Sequence, residues 1–108
     1  MAKANDKKVV RHARDLLLST IGNLFESHRE RRFRDAGAAQ SRAAFCAQHG
    51  LVESNVAFIE TGRFLSMTFP QLRHYLAVTH GRNDVPFATS AKKVYDGLRE
   101  MERLLREI

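Results

Sequence analysis

The sequence predicts an all-α domain of five or six helices. Three observations carry this. Apolar residues recur at spacings of three and four through most of the chain. No stretch shows the strict alternation of a half-buried strand. Helix breakers are few, with two prolines and six glycines in 108 residues. That length suits one domain with one modest core. Hydrophobic residues make up 44% of the chain, enough to fold. Repeats and low-complexity tracts are absent.

The first helical stretch is "NDKKVVRHARDLLLSTIGNLFESHRERRFR", which Asn5 or Asp6 can cap. Val9, Ala13, Leu16, Leu17, Ile21, Leu24, Phe25 and His28 form one apolar stripe along it. Gly22 marks a bend or a break. "DAGAAQ" follows as a small-residue linker. Ser41 caps "SRAAFCAQH", and Gly50 is a left-handed stop. "ESNVAFIET" ends at Gly62, and "RFLSMT" is a loop. Pro70 sits in the first turn of "FPQLRHYLAVTH", where its missing N–H costs nothing. Gly81 closes that helix. "GRNDVPF" is a second loop, and "SAKKVYDGLREMERLLREI" runs to the end. There Val94, Leu98, Met101, Leu104, Leu105 and Ile108 form a stripe suited to dimerisation, or to packing within the domain.

The net charge is +6, which draws the chain to polyanions, nucleic acid above all. A lone cysteine, Cys46, excludes an internal disulfide and falls among apolar residues as a small buried hydrophobe. No signal-peptide core and no membrane-length apolar run is present, so a cytoplasmic protein without a membrane partner is expected. His12, His28, His49, His74 and His80 lack zinc spacing, and no metal site is expected. Phosphate-binding loops, nucleophile elbows and paired carboxylates are missing too, so an enzyme is not expected.

One region says more: "SRAAFCAQHGLVESNVAFIETGR". A helix stops at one glycine, a short turn follows, and a second helix stops at another. Ala44, Phe45, Leu51, Val56 and Ile59 are placed to pack the two together, with Ala44 and Ala47 small where the second helix approaches. This resembles the helix-turn-helix of lambda-type phage repressors and the Xre family of regulators. Ser41 stands at the family's first-helix cap, and Phe45–Cys46 replace its Leu-Ala pair. Gly50–Leu51 match the turn, Val56 and Ile59 the apolar anchors, and "IETGR" the Ile-Glu-x-Gly-Lys/Arg signature. "FPQLRHYLAVTHG" resembles the helix that follows. The likeness spans residues 21–81. It implies an N-terminal helical extension over 1–20, a lambda-repressor-like DNA-binding domain over 21–81, and a linker with a C-terminal dimerisation helix over 82–108, the first and last helices together supplying dimerisation and orienting the two heads. Val52 stands where the family has a capping Ser or Thr, so Glu53 or Ser54 takes that role. The link before Ser41, containing "FRDAGAAQ", and the loop after Gly62 are longer than usual.

The resemblance implies a sequence-specific regulator, a repressor, that binds a palindromic operator on double-stranded DNA as a homodimer without a cofactor. The second helix of such a motif enters the major groove. By position Glu53, Ser54, Asn55, Ala57 and Phe58 would meet bases, with Phe58 alternatively core or a partner contact. Arg42 and Arg63 would meet phosphate, and so would Arg31, Arg32 and Arg34 on the insert, with Arg73 and Arg82 further away. Relatives pair the signature Glu with an Arg on the first helix, which here implies an Arg29–Glu60 ion pair. The alternative is a protein whose main partner is another protein: an antitoxin that neutralises a toxin, an activator touching RNA polymerase, or a helical adaptor.

Overall fold

The structure, a computed structural model, describes residues 4–107. Five α-helices dominate the described residues: α1 (Ala4–Arg32), α2 (Arg42–His49), α3 (Glu53–Glu60), α4 (Phe69–His80) and α5 (Val85–Arg106). A short 3-10 turn covers Phe64–Ser66. The remaining regular structure is a small hairpin, β1 (Arg34–Asp35) against antiparallel β2 (Ala38–Ala39). The fold is therefore all-α but for this hairpin.

Most of the helix limits follow from local chemistry. The Ser41 side chain accepts the Ala44 N–H at 3.1 Å and starts α2. Gly50 and Gly81 take left-handed conformations and end α2 and α4. At the start of α4, Pro70 sits in the first turn and Thr68 N–H donates to Gln71 Oε1 at 3.1 Å. Val52 is the N-cap of α3 and supplies no side-chain bond. Its carbonyl instead accepts from Asn55 and Val56 at 3.0 and 3.1 Å. Neither Glu53 nor Ser54 is the cap.

Four expectations need correction. First, α1 does not break at Gly22, and it runs unbroken across residue 20. The glycine serves close packing: a Cβ there would sit 2.5 Å from the Gly62 nitrogen. Second, the small-residue linker is the hairpin. Ala36 and Gly37 both take positive φ, as a two-residue hairpin turn requires. Third, α5 begins at Val85, within the stretch read as a loop. Asp84 caps it, accepting the Phe87 N–H at 3.0 Å, and Pro86 fits its first turn. Fourth, the described helix α1 already includes Ala4, so Asp6 lies inside its first turn and is not the N-cap residue. The side chain of Asn5 is outside the described residues.

One core holds the elements together. Leu18 from α1, Phe45 and Cys46 from α2, Val56 and Ile59 from α3, Phe64, Leu65 and Met67 from the turn after it, Leu72 and Tyr75 from α4 and Tyr95 from α5 are all buried. Ala44 and Ala47 are not among them. Both are exposed on α2, so they do not form the α2–α3 contact. The expected α1 stripe is largely outside the core as well. Ile21, Phe25 and His28 are half-buried, but Val9, Ala13, Leu16, Leu17 and Leu24 are exposed. The residue α1 buries most deeply among apolar ones is Leu18, which the stripe omitted. No helix of the described chain is long and apolar enough to cross a membrane.

Candidate nucleic-acid interface

Helices α2 and α3 are joined by Gly50, Leu51 and Val52. α3 presents two faces. Val56, Ile59 and Glu60 turn inward, while Glu53, Ser54 and Phe58 are exposed, with Asn55 and Ala57 half-buried. Of the five residues expected to meet bases, Glu53, Ser54 and Phe58 lie on the exposed side of α3, while Ala57 is half-buried and Asn55 borders the cleft between α3 and α4 with Ile59 and Tyr75. Phe58 is 41% exposed, which removes the core reading for it. The Arg63 guanidinium lies 5.7 Å from its ring centre, a cation–π contact that keeps this arginine beside the outer face of α3.

A charged network under α3 holds this face in place. Glu60 is fully buried at the C-terminal end of α3. It accepts from Arg29 Nε at 2.6 Å and Arg29 Nη2 at 2.9 Å, a bidentate pair. Arg42 Nε donates to it at 3.1 Å, and the Tyr75 hydroxyl at 2.7 Å. Arg29 also donates to the Gln40 carbonyl at 3.3 Å. One carboxylate therefore ties α1, α2, α3 and α4 together. Burial alone would lower the Arg29 pKa, but the hydrogen bonds and charge of Glu60 outweigh it and hold Arg29 above its ordinary value. Burial, then the Glu60 charge, pushes the Tyr75 phenol well above its ordinary value.

The structure brings Arg29 and Glu60 together and turns Arg42 away from its expected role. Arg42 is half-buried and spans two carboxylates, Glu60 and, at 2.8 Å, Glu26. It braces the N-terminus of α2, with its charge shared between two carboxylates. Arg34 donates to the carbonyls of Glu30 and Gly37 and closes the hairpin turn. Arg32 reaches toward Gly81 at the end of α4, 2.6 Å from where a Cβ would stand. Arg82 pairs with Asp84 at 2.8 Å, and Arg73 donates to Asn83 at 3.5 Å. Arg31 and Arg63 are exposed.

Two network residues, Glu26 and Tyr75, are absent from the sequence reading. Glu26 lies one turn before Arg29, and that spacing is a usable signal for a partner of the same network. Tyr75 gave no such signal, because its role depends on how α4 crosses α3. On α5, Leu98 packs against the core, Met101 and Leu105 are half-buried, and Val94 and Leu104 are exposed. The expected dimerisation stripe is thus partly consumed inside the chain, and Ile108 is outside the described residues. No family model, curated protein or solved structure matches the chain.

Proposed function

We propose that this chain is a sequence-specific DNA-binding regulator, a repressor that reads a palindromic operator as a homodimer. The observation that carries the reading is the outward face of α3. It is short, exposed and fixed by a buried carboxylate that binds three other helices. A reading helix needs that kind of rigid presentation. The likeness of "GLVESNVAFIETGR" to the lambda-type motif and the charge of +6 support the same conclusion. In this reading Asn55 pairs with adenine, Glu53 accepts from cytosine, and Ala57 and Phe58 pack on thymine methyls or sugars. Arg63 and Arg31 provide the phosphate contacts, and Arg42 acts only by positioning.

A second reading has its own observation. The outer face of α3 carries one carboxylate, Glu53, and no cation of its own, while Phe58 and the neighbouring Val52 are exposed. Such a face also suits a protein partner, as in an antitoxin or adaptor.

Fluorescence anisotropy with a DNA fragment from upstream of the chain's own gene separates the two. The DNA reading expects binding tighter than to random DNA by about 10³-fold or more. It also expects Arg63→Ala to reduce the salt slope by about 1 for each chain bound. Equal, weak binding to both DNAs, unaffected by Arg63→Ala, would reject it in favour of the protein partner.

A further inference from the structure

We infer that the exposed apolar face of α1 is a self-association surface, on which a second copy of the chain packs its own α1 antiparallel. This deepens the homodimer part of the reading above. Of the two terminal helices, it places the contact on α1 and not on α5.

Val9, Leu16, Leu17 and Leu24 are 67%, 58%, 44% and 63% exposed. With Ala13 and Thr20 between them, they occupy an arc of about 100° at 3.6 residues per turn, the width of an ordinary buried helix face. No charged residue between positions 9 and 24 falls in this arc. Arg11, Arg14 and Asp15 lie on other sides of the helix. The face also points away from the body of the domain, which Leu18, Gly22 and Arg29 meet from the opposite side. Four large aliphatic side chains along about 22 Å of helix are therefore left without a partner.

The surface area agrees with a missing partner. The chain exposes 7035 Å². A compact monomer of 12.3 kDa exposes about 6,100 Å². The excess, about 900 Å², is close to the roughly 800 Å² each partner buries in a standard interface. The radius of gyration is 15.7 Å, where about 13 Å is usual for this length. The extra surface belongs to an elongated shape, 54 Å along its longest axis.

The sequence of the face is self-complementary in one direction. An antiparallel pair about a two-fold axis between residues 16 and 17 sets Val9 against Leu24, Ala13 against Thr20, and Leu16 against Leu17. Large residues meet large ones at the ends and centre, and small meets small between, so the helices can approach closely. Each contact occurs twice, as a closed two-fold interface requires. A parallel pair would place the two basic bodies side by side at one end, and their like charge opposes that.

Sedimentation equilibrium of the full chain without DNA, across the micromolar range, tests the surface. The wild type is expected to be a dimer. The Leu16→Glu/Leu24→Glu variant should associate at least about 100-fold more weakly, with unchanged circular dichroism, since both sites are exposed in one chain. Val94→Glu/Leu104→Glu on α5 should remain dimeric. A monomeric wild type, or a dimer lost through the α5 pair and kept in the α1 pair, overturns the inference. Cysteine cross-linking tests direction: Ala13→Cys mixed with Thr20→Cys should cross-link faster than either alone. Faster cross-linking of Ala13→Cys with itself overturns the antiparallel arrangement. A dimer that ignores DNA would leave this inference standing and reject the DNA reading. Specific DNA binding by a chain that stays monomeric would overturn this inference and keep DNA recognition without the homodimer.

Discussion

Replacing Arg29 by alanine tests whether the Glu60 network positions α3. Arg29 is 3% exposed and gives Glu60 two of its four hydrogen bonds. Its loss leaves a fully buried carboxylate with Arg42 and the Tyr75 hydroxyl. Breaking a buried ion pair by removing one partner costs about 3–5 kcal/mol, because the remaining charge is uncompensated. The two surviving donors place the cost here near the lower end, about 3 kcal/mol. At about 4–8 °C for each kcal/mol in a domain this size, the midpoint of thermal unfolding should fall by roughly 12–24 °C. Arg42→Ala should cost less, about 1–2 kcal/mol, because Arg42 is 30% exposed and only one of its bonds reaches Glu60. Replacing both members, as Arg29→Met/Glu60→Met, should recover part of the loss, since no charge then stays buried. Circular dichroism melts with urea titrations would measure all three. A change in Arg29→Ala within about 0.5 kcal/mol, the range of an ordinary surface substitution, would refute the reasoning.

Alanine at two helical glycines should act in opposite directions. Gly22→Ala sets a methyl group against the backbone of Gly62 and Glu60 and should destabilise by about 1–3 kcal/mol, whereas Gly97→Ala meets nothing within 4 Å and should stabilise α5 by about 0.5–1 kcal/mol; urea midpoints decide, and equal signs would refute the packing argument. Tyr75 is held neutral in the fold, so the unfolded chain loses its proton first as pH rises past about 10. Stability should then fall with pH by up to about 1.4 kcal/mol per unit, and Tyr75→Phe should flatten that slope in alkaline melts. His80 stacks on His28 at 4.6 Å, and burial first, then the neighbouring cations, lowers its pKa. Its contribution is full above the unfolded value near 6.5 and is lost as pH falls from there through the lowered folded value, so His80→Gln should melt with a weaker dependence between pH 7.5 and 5.5.

Much of the fold was legible because it rests on local rules. Ser41, Gly50, Pro70 and Gly81 act at the helix ends through their own backbone or side-chain chemistry, and each stands where that chemistry predicts. Asp84 and Pro86 carry the same kind of signal for α5, and the reading passed over it by treating the stretch as a loop. The rest depends on tertiary context. Apolar residues on α1 cover more than one face, so periodicity alone did not fix which face meets the core, and Leu18 was left out. The role of Gly22 exists only because Gly62 approaches it. Arg42 stands at a helix N-terminus, where an exposed arginine would meet phosphate. Only the folded chain brings Glu26 and Glu60 within reach of it and turns it inward.

That inward turn changes how a DNA reading must work. A regulator that anchors itself by many arginine–phosphate contacts loses affinity steeply with salt. Here part of the positive charge near the motif is already paired with carboxylates: Arg29 on Glu60, Arg42 on Glu60 and Glu26, Arg82 on Asp84. Arg31, Arg32, Arg34, Arg63 and Arg73 remain exposed without a carboxylate partner among the described residues, so these are the arginines left to meet phosphate in the proposed reading. Two chains joined through α1, as inferred above, would double that number and present two α3 helices to two half-sites. In the proposed reading, self-association would therefore raise affinity for the operator. If the chain binds DNA as proposed, a variant that separates the chains should bind the operator more weakly while each α3 stays correctly folded.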